Sequence, residues 1–164
     1  MYAVINNNLY WYQHFRGKTI VLARKGQPVD YTFEEKGDVF QKTVNIDDAE
    51  ISDVYNVKFY VGYKDCLVEN NDIWEVGDGF PSSRPYRIEN GEACIGTFGA
   101  VSGNGWETNG RDESYKIIQL SDCSSFSAEY EYSKKDGVVC SEPVTQKVEL
   151  SREELITLVL THRV

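Results

Sequence analysis

The strongest chemical signal in this chain is a run of acids. Residues 29–83 hold thirteen acidic side chains against four basic ones, and their net charge of −9 equals that of the whole 164-residue protein. Within that stretch Asp47, Asp48, Glu50 and Asp53 crowd together, followed by Glu69, Asp72 and Glu75. Carboxylates at this density attract a basic partner, raise its association rate and can stand in for phosphates. The same sign disfavours direct nucleic-acid binding, which needs cations. Two tryptophans accompany the acids: Trp74 inside the run, and Trp106 in a glycine-rich segment further on. Tryptophan is the residue type that most often anchors a protein interface, so both join the acids as candidate partner-binding residues.

Other chemistries have less support in the sequence. There are two histidines, His14 and His162, and neither accompanies a Gly-x-Ser-x-Gly elbow or a comparable nucleophile signature. Structural roles are therefore expected for both, and no catalytic residue is assigned. Glu129 and Glu131 share one strand face, as a glycosidase pair could, but a solvated outer face explains them better. The glycines from Gly96 to Gly110 lack both the Gly-Lys-Ser/Thr ending and the Gly-x-Gly-x-x-Gly spacing of phosphate loops. A long loop over 100–113 with an exposed Trp106 is the expectation there. Cys66, Cys94, Cys123 and Cys140 lie 28, 29 and 17 residues apart with no Cys-x-x-Cys, so neither a zinc site nor any other metal or cofactor is expected. Reduced, mostly buried thiols are expected instead, with two disulfides as the alternative.

The elements that must position these residues read as strands. Alternating patterns occur over 9–15, 29–34 and 125–132, and a β-branched and aromatic run covers 54–63. In 29–34 the alternation places Val29, Tyr31 and Phe33 inward. Turn chemistry separates the runs at Asn6-Asn7-Asn8, Asn90-Gly91 and Asp136-Gly137. Pro143 should confine its strand to an edge or a bulge. A second hairpin is expected from 66–69 and 73–76.

The last fifteen residues differ. Ser151 and Glu154 have capping-box spacing, Leu150 and Leu155 are placed for a hydrophobic staple, and Leu155, Ile156, Leu158 and Val159 share a face. The expected fold class is mainly β (α+β): a strongly curved antiparallel sheet or barrel-like meander with one C-terminal amphipathic helix packed on it. One domain spanning 1–164 fits the length. No signal peptide and no run near the ~20 apolar residues of a membrane span are visible, so a cytoplasmic location away from membranes is expected.

The functional expectation is a non-enzymatic protein-binding protein, an inhibitor or immunity protein (antitoxin) that masks a basic partner such as a nuclease toxin. A small-molecule-binding β-barrel is the alternative, with a small hydrolase behind it. Oligomeric state is not legible.

Overall fold

The computed structural model describes residues 1–15, 18–64, 73–77, 87–110 and 112–163. The expectations for a strand at 66–69, and for Glu69 and Asp72, lie outside the described residues. Twelve antiparallel or edge strands and one helix account for most of the rest: β1 (Tyr2–Ile5), β2 (Asn8–Phe15), β3 (Lys18–Arg24), β4 (Glu34–Lys36), β5 (Val39–Thr43), β6 (Ile51–Gly62), β7 (Ile73–Val76), β8 (Glu92–Phe98), β9 (Glu107–Asn109), β10 (Glu113–Gln119), β11 (Ser125–Lys135), β12 (Val138–Leu150) and α1 (Arg152–Thr161). The hydrogen-bonded order is β4-β5-β3-β2-β1-β6-β7-β8-β10-β9, with β11 pairing both β6 and β12. That order has two ends, so the described strands form an open sheet and not a barrel.

Two compact units divide the chain, and the division falls within β6, β11 and β12. The first comprises Met1–Val57, Tyr130–Gln146 and His162–Val164. Here Asn6 and Asn7 adopt φ of 49° and 64°, giving the left-handed pair that a tight hairpin between β1 and β2 requires. Asp136 and Gly137 do the same between β11 and β12, at 50° and 81°. Alternation in β2 buries Tyr10 and Tyr12 with Ala3, Ile5, Val21, Ala23, Ile51 and Val54, and leaves Trp11 exposed.

One expected strand is corrected. Residues 28–33 are not strand, with a turn at Tyr31 and Thr32, and Tyr31 is 97% exposed where alternation placed it inward. The Asp30 carboxylate accepts bonds from the Thr32 amide (2.8 Å) and hydroxyl, while the Phe33 amide donates to the Asp30 carbonyl (3.2 Å). An aspartate folding its own backbone into a turn has outcompeted the strand pattern. Only β4 extends.

The second unit comprises Lys58–Glu129 and Lys147–Thr161. Its core gathers Val61, Trp74, Val76, Ile88, Ala93, Ile95, Trp106, Ile118, Leu120, Leu155 and Val159. The capping box forms as spaced: Glu154 N donates to Ser151 Oγ (3.2 Å), and Ser151 N donates to Glu154 Oε2 (2.7 Å). Helix α1 buries Leu155 and Val159 and packs on a 3-10 turn at Ile88–Asn90. That turn corrects the hairpin expected at Asn90-Gly91. Ile88 is fully buried, and Gly91, with φ of 81°, closes the turn through its amide to the Ile88 carbonyl (2.9 Å). Burial of one isoleucine is worth about 1.5–3 kcal/mol, which favours the turn that seats it. Strand β12 pairs with β11 alone, so Pro143 does lie on an edge strand.

Candidate partner-binding surface

In the first unit the acidic residues 45–53 form a turn that the fold holds from several sides. Asp48 Oδ2 accepts the Asn45 amide (2.8 Å), and the Ile51 amide donates to the Asp48 carbonyl (3.1 Å). Lys134, only 1% exposed, reaches under the turn and donates its ammonium to the carbonyls of Ile46 (2.8 Å) and Asp48 (2.9 Å). Glu50 pairs with Lys42 at 2.6 Å. Asp53 accepts the Asp136 amide (3.1 Å) on one oxygen and the Ser52 hydroxyl (2.7 Å) on the other. Asp48, Glu50 and Asp53 are thus half-buried and bonded within the fold, while Asp47 is exposed. Four carboxylates meet here as the spacing implied, yet three of them shape the turn.

A cluster of rings occupies another part of this unit. The hydroxyl of Tyr55 lies 2.9 Å from His162 Nε2, and Tyr2 donates its hydroxyl to the His162 carbonyl (2.7 Å). Tyr130 and Tyr132 pack on Tyr55 with centroids 5.3 and 5.4 Å away. Burial, with the neighbouring phenols, pushes Tyr55 well above the ordinary tyrosine range, and burial raises Tyr130 and Tyr132 as well. His162 is therefore held among phenols that keep their protons at neutral pH. His14, by contrast, is exposed, with Thr19 Oγ1 2.9 Å from its Nδ1.

In the second unit a row of residues crosses four strands. Register places Glu75 of β7 opposite Gly96 of β8, Gly96 opposite Tyr115 of β10, and Tyr115 opposite Glu107 of β9. Residues directly opposite share a face, so this row lies on one side of the sheet. The next row pairs Phe98 with Glu113. Together with Gly77, Cys94, Thr97 and Ser114, residues of these rows line a recess of about 240 Å³. Tyr115 donates its hydroxyl to Glu107 Oε2 (2.6 Å), which fixes the ring as one wall. Glu75 lies 3.4 Å from Lys58 and holds that ammonium above its ordinary value. Cys94 is buried, and desolvation pushes its thiol up to about 11, so at neutral pH it is a protonated apolar group and not a nucleophile. Of the recess lining, Phe98 is 88% exposed, and Ile73, two residues before Glu75 on the same face of β7, is 53% exposed.

No protein-family model matches this chain, and no curated protein or solved structure is similar to it.

Trp106, expected to be exposed, is corrected, and Trp74 is buried beside it. Trp74 and Trp106 are 1% and 6% exposed, with ring centroids 5.0 Å apart. Trp74 donates its indole N–H to the Tyr63 carbonyl (2.8 Å). The glycine-rich segment does not leave Trp106 on a loose loop. A bridge between Gly103 and Trp106 closes a tight turn through Asn104 and Gly105, both at positive φ, and β9 follows at once. Glu75 lies on the opposite strand face from Trp74 and is exposed. Sequence reasoning missed Phe98 and Glu113. Their signal was Gly96, an isolated glycine in a strand pattern, which marks a gap in a sheet surface. Among the described residues, Cys94, Cys123 and Cys140 are free thiols, and no group of three or more His, Cys, Asp or Glu could hold a metal ion. No helix among the described residues is long and apolar enough to cross a membrane.

Proposed function

We propose that this chain is a protein-binding protein, an inhibitor or immunity protein (antitoxin) that masks a basic partner such as a nuclease toxin. One observation carries the reading: on a sheet face of the second unit a recess is lined by exposed Phe98 and the exposed carboxylates Glu75 and Glu113, with exposed Ile73 two residues before Glu75 on the same face of β7. Apolar side chains supply desolvated contact, and carboxylates beside them select a cationic surface and speed its arrival. In the first unit Asp47 adds an exposed charge at the centre of the acidic turn. A nuclease is a fitting target because its substrate-binding cations are what such carboxylates would occupy. The pairing order of the described strands has free ends, which lends no support to a ligand-binding barrel.

The test is capture on the immobilised protein from native lysate at low salt, followed by identification of what high salt releases and by titration calorimetry. A single stoichiometric basic protein is expected. Its affinity should fall with rising salt and by roughly tenfold or more on charge reversal in Glu75→Lys with Glu113→Lys, and measurably in the exposed Asp47→Lys. An affinity indifferent to salt and to both reversals would overturn the reading.

A further inference from the structure

The recess on the second unit is of a size to take one side chain. Its volume of about 240 Å³ lies below the range of about 300–1,000 Å³ typical of small-molecule sites. Gly96 forms its floor. A Cβ built on Gly96 would meet a single neighbour, the Ser114 carbonyl oxygen at 3.7 Å, so the space above that residue is open. The backbone there is not in the left-handed region, so the missing side chain serves the space and not the chain's conformation.

The walls define what would fill it. Neighbouring strands in a sheet lie about 4.7–4.9 Å apart, so Glu75 and Tyr115 stand one strand to either side of Gly96. Phe98 and Glu113 stand side by side in the adjacent row. The recess therefore offers aromatic surface from two residues and carboxylates from two others. Lys58 offsets part of the Glu75 charge, but an exposed pair of this kind is weak and is readily exchanged for a better cation.

Resting on the masking function proposed above, we infer that this recess seats one arginine side chain of the basic partner. Guanidinium is flat, so it stacks on Phe98 or Tyr115, and it presents paired N–H donors that a carboxylate accepts two at a time. Lysine offers only a point charge, and a neutral isostere offers none.

The probe is N-acetyl-arginine methyl ester, titrated into the whole protein and followed by amide chemical shifts. Saturable shifts confined to Gly96, Thr97, Phe98, Ser114 and Tyr115 are expected. The lysine analogue should bind more weakly, and the citrulline analogue, of the same shape without charge, should not bind. Glu113→Gln, at an exposed position that leaves the fold intact, should weaken the arginine probe by roughly tenfold. Gly96→Val should block the floor and abolish the shifts. Equal binding of arginine and citrulline analogues, or no saturable shift from arginine, overturns the assignment. The titration needs no partner, so its failure is separate from failure of the masking reading. A captured basic protein that binds Glu113→Gln and Gly96→Val as tightly as the native chain would remove the recess assignment and leave masking standing.

Discussion

Lys134 shows how one side chain can organise an acidic surface. Its ammonium is buried, and both bonds it makes are to backbone carbonyls of the acidic turn. Lys134→Met would keep the stem's packing but take this donor from the Ile46 carbonyl and leave the Asp48 carbonyl with the Ile51 amide. Losing donors to buried acceptors costs about 1–3 kcal/mol, so the urea midpoint should fall accordingly. An unchanged midpoint would show that water replaces the ammonium freely. The tyrosine cluster makes a second prediction at this scale. Tyr55, Tyr130 and Tyr132 have raised folded-state values, so above about pH 10, where unfolded tyrosines ionise, the unfolded state binds fewer protons. By linkage their contribution is fully present below that pH and is lost progressively above it. Urea unfolding at about pH 8 and about pH 11 should show the loss, and Tyr55→Phe should make it shallower. At this scale the sequence was only partly legible. Alternation placed Phe126, Ala128, Tyr130 and Tyr132 on one face of β11, but nothing local revealed that Lys134, continuing that face, would be buried.

At the scale of elements, the close approach of β6 to the start of β11 is the most sensitive point. The Ser124 amide donates to the Gly62 carbonyl at 2.8 Å. A Cβ on Gly62 would overlap Ser125 Oγ, come within 2.8 Å of Ser124 Oγ and lie 3.3 Å from the Ser125 amide nitrogen. Gly62→Ala should therefore cost about 1–3 kcal/mol by overpacking. Adding Ser125→Ala should return part of that loss, since the hydroxyl can be removed and the backbone nitrogen cannot. A double-mutant cycle by chemical denaturation measures both terms. Elements were legible where the signal was local: the capping box of α1, the Asn6-Asn7 and Asp136-Gly137 turns, and Pro143 on an edge strand all follow from adjacent residues. They were misread where two local signals competed, as when the Asp30 turn displaced the alternation of 29–34.

At the scale of the molecule, the two units are each discontinuous in sequence. In the first, Tyr2 bonds the carbonyl of His162 across 160 positions, and Lys134 reaches Ile46 across 88. Contacts this distant must be closed before they reward the chain, so refolding should run in milliseconds to seconds, not microseconds. Stopped-flow fluorescence of Trp74 and Trp106, buried against each other, reads it directly. A microsecond main phase would mean that the distant pairings form after the step that orders these rings.

The sequence alone determined the strand-rich character, the tight turns, the single terminal helix and the acidic imbalance. Each depends on backbone preferences within a few residues or on composition. Only the tertiary structure decided which carboxylates bond internally and which face solvent, that Trp74 and Trp106 pack in a core, and that Glu75, Gly96, Tyr115, Phe98 and Glu113 surround one recess. Those outcomes depend on which distant strand lies alongside and in what register. A shift of one residue would turn Glu75 inward and Trp74 outward, because successive side chains of a strand point to opposite faces.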